Sequence, residues 1–167
     1  MDLYIVRHAI AFDPDPTHWP DDRDRPLTDD GKKRFRAAAQ GLGALLGSKA
    51  VQTLLSSPWV RAWQTAEILE HEAGWPAPVR CEALEGGRSP AEVLKALQPY
   101  PTSKAVGLVG HEPSLHELAS YLLTADTTHL QMELRKGAVA LIELPEVRPG
   151  TGRIRMLLQP KVLRAIS

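Results

Sequence analysis

Along this chain, short apolar runs alternate with segments whose apolar residues recur at helical spacing. Leu3–Val6 is a compact apolar run with β-branched members and reads as a buried strand. From Ala9 to Pro26 the periodicity stops. Four prolines (Pro14, Pro16, Pro20, Pro26) and five aspartates (Asp13, Asp15, Asp21, Asp22, Asp24) make this stretch a long loop. Thr28 then reads as an N-cap, with Asp29 and Asp30 in the first turn of a helix. Phe35, Ala38, Ala39, Leu42, Leu45 and Leu46 carry that helix to Gly47. Val51–Leu55 predicts a second strand. Ser57-Pro58 predicts a helix with proline at its first position, running to about His71. Val79–Ala83 is a weaker strand, and Ser89-Pro90-Ala91-Glu92 fits a capping box opening a helix through Leu97. Ala105–Val109 is a strongly apolar strand, and Pro113 opens a helix that uses Leu115, Leu118, Ala119 and Leu122. Ala138–Leu144 and Ile154–Leu158 close the pattern as two strands around a turn with proline and glycine.

Strand–helix units repeated four times, then two strands, predict an α/β fold: a three-layer α/β/α sandwich with a mostly parallel central sheet. Neither an internal repeat nor a linker divides the chain, so residues 1–167 read as a single domain. Lys+Arg and Asp+Glu are 20 each, giving zero formal charge. That balance lacks the basic excess of a non-specific nucleic-acid binder. The single cysteine, Cys81, excludes an internal disulfide framework or a multi-cysteine zinc site and suits a reducing compartment. No apolar run approaches the length of a membrane span, and the N-terminus lacks a leader pattern, so a cytoplasmic location away from membranes is expected.

Ligands of open α/β sheets bind beyond the carboxyl ends of the strands. Arg7 and His8 follow the first strand, and Ser56, Ser57, Pro58 and Arg61 follow the second. Gly110 and His111 follow the strand Ala105–Val109. Two arginines and two histidines at such ends, with two helix N-termini, suit a dianionic tetrahedral group. Nearby cations disfavour imidazolium, so one histidine would stay neutral and able to attack phosphorus in line. The pocket supplies its own positive charge, and neither metal nor cofactor is expected. Taken singly, His8 reads as a hydrogen-bonded structural histidine, Arg61 as a surface helix residue and His111 as a cap. Their joint placement is what speaks for chemistry.

Other phosphate and redox patterns fail on spacing. A Cys-x5-Arg loop would need five residues between its ends, but six separate Cys81 from Arg88. His111 and His116 are one residue too far apart for a zinc-binding His-Glu-x-x-His, and Pro113 interrupts them. Gly41-x-Gly43 falls inside a predicted helix, which argues against a dinucleotide fingerprint.

Four segments together resemble the histidine phosphatase superfamily, the phosphoglycerate-mutase-like proteins. Leu3–His8 is similar to its strand followed by Arg-His-Gly. Arg25-Pro26-Leu27-Thr28-Asp29-Asp30-Gly31 resembles its Leu-Thr-x-x-Gly element. Ser57-Pro58-Trp59-Val60-Arg61-Ala62-Trp63-Gln64-Thr65-Ala66 resembles its Ser-Pro-x-x-Arg-Ala-x-Gln-Thr-Ala helix, and Val109–Pro113 its second histidine element. The short length and the Arg-Pro-Leu-Thr form resemble the SixA-type phosphohistidine phosphatases. The resemblance implies a phosphoglycerate-mutase-like fold and a metal-independent phosphatase with a role in signal transduction. It also implies His8 as the transiently phosphorylated nucleophile, with Arg7, Arg61 and His111 binding the phosphoryl oxygens.

The sequence departs from the pattern in two places. Ala9 replaces the glycine after the first histidine, and alanine resists positive φ. Glu82 and Glu85 lie near where larger members keep a general acid, but their context fits poorly, and the reading as solvated loop carboxylates is preferred to a general-acid role. The imidazole of a phosphohistidine can leave protonated on its far nitrogen, so it needs such an acid less than an alkoxide does.

Only about twenty residues separate Leu84 from Ala105, too few for a large cap, so an open pocket suited to a phosphorylated protein is expected. Trp59 is a candidate for the pocket edge, whereas Trp63 reads as core from its spacing. The expected substrate is a phosphohistidine protein. A small phosphomonoester, or a phosphoprotein bound without turnover, remains open.

Overall fold

The computed structural model describes residues 1–102 and 104–166. Its centre is a six-stranded sheet in the order β3-β2-β4-β1-β5-β6, with β1 Asp2–Arg7, β2 Thr53–Ser56, β3 Pro78–Arg80, β4 Ala105–Gly110, β5 Val139–Glu143 and β6 Arg153–Leu158. The first four are mutually parallel; β5 runs antiparallel to β1, and β6 antiparallel to β5. The helices are α1 Asp29–Leu46, α2 Val60–Ala73, α3 Pro90–Leu97, α4 Ser114–Thr124 and α5 Pro160–Ile166.

Alternation along the strands builds three layers. Tyr4 and Val6 of β1 face a core with Phe35 and Leu42 of α1, Leu69 of α2 and Leu163 of α5. Leu3 and Ile5 face the opposite core, with Leu94 and Leu97 of α3 and Leu115 and Leu118 of α4. A central strand covered on both faces has no polar side, which is why β1 and β4 read as unbroken apolar runs. The predicted three-layer α/β architecture with a mostly parallel sheet is the one observed.

The details differ at element ends and at the surface. Pro58 lies ahead of α2 instead of opening it: Trp59 is the cap residue and supplies no side-chain hydrogen bond. That helix reaches Ala73, beyond His71, and stops where Gly74 turns left-handed at φ 70°. The third strand covers only Pro78–Arg80, because Glu82–Leu84 winds into a 3₁₀ turn. The proline-rich loop is not structureless, since Asp22–Asp24 forms a 3₁₀ turn and Ala11 bridges Leu27. Trp63 is only half-buried: its indole N–H donates to Glu67 at 3.0 Å and the Arg80 guanidinium lies over its ring at 5.5 Å. Its helical spacing was right, but it faces the margin of the core. The helix α5 has no counterpart among the predicted elements, because seven residues are too few to establish a period.

Candidate functional site

The sheet order puts β1 beside β4 and β4 beside β2. The carboxyl ends of three parallel strands therefore meet, and the residues after them enter one cleft of about 440 Å³. Arg7, His8, Arg61 and His111 all line it. The two imidazoles sit 5.3 Å apart between ring centroids.

The motif residues around them tie backbones together. The hydroxyl of Thr65 donates to the Arg61 carbonyl at 2.7 Å and accepts from the Ala9 N–H at 3.0 Å. Helix α2 thereby holds the chain next to His8. Gln64 accepts from the Leu27 N–H at 2.9 Å. Thr28 caps α1 by accepting from the Gly31 N–H, while its own N–H donates to the Ile10 carbonyl. A side chain at Gly31 would overlap that carbonyl, so the close approach requires glycine. Ala9, by contrast, needs no special freedom: among the described residues Ala125 is the one non-glycine residue with positive φ.

Hydrogen bonding fixes the proton on His8. Its Nδ1 lies 2.7 Å from the Ala9 carbonyl oxygen, which can only accept. Nδ1 therefore carries the hydrogen, and Nε2 keeps its lone pair. Burial, with Arg61, Arg7 and Lys136 nearby, lowers the His8 pKa to about 3. Burial, together with the neighbouring His8 and Arg61, also lowers the His111 pKa strongly. The Nε2 of His111 lies 2.9 Å from Ser57 Oγ, which itself accepts from the Trp59 N–H. Where Ser57 donates its hydroxyl proton to Nε2, His111 carries its own proton on Nδ1.

Unpaired polar atoms converge here. Among the described residues, the buried side-chain nitrogens and oxygens without a hydrogen-bond partner are Arg7 Nε, Trp59 Nε1, Arg61 Nε, Trp75 Nε1, His111 Nδ1 and Glu112 Oε1. All but that of Trp75 belong to residues lining the cleft. Buried polar groups are normally paired, so the nitrogens of Arg7, Trp59, Arg61 and His111 gathered around one hollow indicate an anion-binding cradle, with the Glu112 oxygen as the one acceptor among them. Burial pulls the Arg7 and Arg61 guanidinium pKa values down, but from so high a starting point that both stay charged.

Several cleft residues had no site role assigned from sequence. Asp22 links two guanidinium groups: Arg25 Nε donates to Oδ1 at 2.7 Å and Arg61 Nη2 to Oδ2 at 3.0 Å. The bond from Arg25 holds the Asp22 carboxyl below the usual carboxylate range. Arg25 is anchored in turn on the Phe12 carbonyl at 2.6 Å. Trp59, the candidate for the pocket edge, does line the cleft, with its ring 4.5 Å from the His111 ring and 4.8 Å from Arg61 Cζ. Glu112 also lines it, half-buried, and burial raises its carboxyl pKa against the pull of Arg7. Lys136 reaches the cleft from the segment before β5. Because β5 is antiparallel, its beginning lies at the carboxyl ends of the parallel strands, so attention to strand ends alone misses Lys136. Glu112 adjoins His111 and could have been found from that adjacency. Neither Glu82 nor Glu85 lines the cleft: Glu82 is exposed, and Glu85 pairs with Arg88 at 3.5 Å.

Among the described residues no helix is long and apolar enough to cross a membrane. The sequence profile of the histidine phosphatase superfamily (branch 1) matches residues 3–85. An uncharacterized protein of Picosynechococcus is 35% identical over 158 residues, covering 93% of this chain and 89% of its own length. The protein histidine phosphatase SixA complexed with tungstate superposes with a TM-score of 0.83 at 24% identity, covering 98% of this chain and 99% of that one. A SixA protein from Agrobacterium tumefaciens gives 0.76 at 22% identity, over 95% of this chain and 97% of the other. A phosphoserine phosphatase variant from Entamoeba histolytica with bound phosphoserine gives 0.66 at 15%, over 96% and 98%. With that profile match and the phosphoglycerate-mutase-like fold shared with SixA, the chain belongs to the histidine phosphatase superfamily.

Proposed function

We propose that this protein removes phosphate from phosphohistidine on another protein, through a covalent phosphohistidine formed on His8. The observation that carries the reading is the cradle of buried, unpartnered polar atoms on Arg7, Trp59, Arg61 and His111 beside a His8 whose Nε2 lone pair is free. Nε2 attacks phosphorus in line as the bond from phosphorus to the leaving nitrogen breaks. A substrate imidazole protonated on its far nitrogen takes the bonding pair and departs neutral. Water then attacks the phosphoryl group on His8; the P–N bond breaks, its electron pair returns to Nε2, and dihydrogen phosphate leaves carrying both hydrogens of the water. Arg7, Arg61 and the Nδ1–H of His111 meet the oxygens throughout. The two guanidinium groups supply the positive charge, so treatment with EDTA is expected to leave the rate unchanged.

One observation favours a second reading, a small-molecule phosphomonoesterase. The alkoxide of an ester needs an acid, and Glu112 places a carboxyl in the cleft with its Oε1 buried and unpartnered. Burial favours its protonated form. On this reading Glu112, and not the more distant Glu82 or Glu85, protonates the leaving oxygen. The deciding experiment is a panel of phosphohistidine protein, phosphoserine and sugar phosphates, run with wild type, Glu112→Gln and the Glu82→Gln/Glu85→Gln pair. Phosphohistidine turnover that none of the three substitutions reduces by more than about tenfold supports the first reading. Ester turnover that alone collapses in Glu112→Gln supports the second. Bound phosphoprotein without turnover of any substrate would reduce the protein to a docking module.

A further inference from the structure

A second hollow adjoins the cleft, about 460 Å³ in volume and built from α1, the segment before β5 and the start of α5. Its floor is apolar, with Ala9, Ile10, Phe35 and Pro160. Its rim carries Arg34, Arg135, Lys136 and Lys161, and among the described residues no aspartate or glutamate lines it. Arg34 and Arg135 each hold one exposed partner outside the hollow, Asp30 and Glu133, at 2.7 and 2.9 Å. Exposed pairs of this kind hold their cations only weakly. Arg7 and Lys136 line both hollows, so the groove and the phosphate cradle are continuous. From the proline-rich loop the cleft takes Asp13 and Asp22, the latter already paired with Arg25 and Arg61. The groove is therefore a local excess of positive charge on a chain that is neutral as a whole.

We infer that this basic groove is a docking site for an acidic segment of the phosphorylated protein substrate, seated beside the phosphorylated side chain. The inference rests on the phosphoprotein reading of the cleft. Charge complementarity selects the occupant: the cationic rim takes carboxylates, and the apolar floor takes an aliphatic or aromatic side chain between them. A small phosphorylated metabolite would occupy the cradle without reaching Arg34, Lys161 and Arg135, none of which lines the cleft. A protein surface spans both hollows.

The test uses three phosphohistidine peptides of equal length, with Asp/Glu, neutral or Lys flanks, and free phosphohistidine as the small probe. Wild type is compared with Arg135→Glu/Lys161→Glu, two exposed positions outside the cleft. Wild type is expected to favour the acidic peptide over the neutral one by about tenfold in kcat/KM, mainly through KM, with the preference fading as salt rises. The variant is expected to lose that preference while free phosphohistidine changes by less than about twofold. Fluorescence anisotropy of a labelled, unphosphorylated acidic peptide reads the groove without catalysis: wild type binds and the variant does not. No acidic preference in wild type, a preference that survives charge reversal, or an equal fall on free phosphohistidine would each overturn the inference. If no phosphohistidine probe is hydrolysed at all, the proposed activity fails, and anisotropy still decides the groove by itself.

Discussion

The proton on His8 Nδ1 governs the chemistry available to the site. With that hydrogen committed to the Ala9 carbonyl, the ring can present only a lone pair from Nε2 toward the cradle. Because burial and three cations depress the pKa to about 3, the ring stays neutral throughout the mildly acidic range. A nitrogen-detected NMR titration is expected to show His8 as the neutral Nδ1–H form at pH 5, where an ordinary histidine is charged; an imidazolium signal there would remove the basis for attack. His8→Ala is expected to lower turnover by about three orders of magnitude or more and to abolish acid-labile label on the enzyme, with the circular dichroism spectrum unchanged. Arg61→Lys tests the cradle differently. A point charge cannot keep both bonds to Asp22 and still face a phosphoryl oxygen, so a rise in the dissociation constant for inorganic phosphate is expected, measured calorimetrically.

At the scale of the elements, what positions the site is a set of side-chain-to-backbone bonds carried by the motifs. Thr65 is fully buried and joins α2 to the residue after His8. Thr65→Val keeps the shape but leaves the Ala9 N–H without its acceptor, at a cost of about 1–3 kcal/mol in urea-denaturation stability and with a fall in kcat as His8 loosens. Gln64, Thr65, Thr28 and Gly31 explain why the family pattern could be read in one dimension: each side chain, or its absence, meets a particular peptide group. Arg7, His8, Arg61 and His111 were legible for the same reason, as they follow strands whose apolar runs are unmistakable. Lys136 and Asp22 were not, because lone charges have no period and their relevance appears only when β5 and the loop are placed against β1 and α2. The helix α5 failed for want of length. Trp63 failed because spacing gives a face and not the depth of that face.

For the whole molecule, keeping two uncharged imidazoles indoors couples stability to acidity. Both His8 and His111 have folded pKa values far below the ordinary 6.5, so in the unfolded chain they take up protons that the folded form refuses. Their stabilising effect is complete above about pH 6.5 and is lost as pH falls toward 3, with a slope of at most about 1.4 kcal/mol per pH unit for each ring. Urea midpoints are expected to decline across pH 6.5 to 4 and to decline less steeply in His8→Asn; a flat profile in wild type would contradict the burial of neutral rings. Inorganic phosphate, binding only the folded form, is expected to raise the melting temperature at each pH. The sheet order has a separate effect on biosynthesis. The strand made first, β1, lies between β4 and β5, pairing Leu3 with Val106 and with Ile142. Its partners emerge from the ribosome only after most of the chain has been translated. The cleft is thus unfinished until late in synthesis, and a chain cut short before residue 139 has His8 and His111 but lacks the neighbour that closes one side of the strand leading to His8.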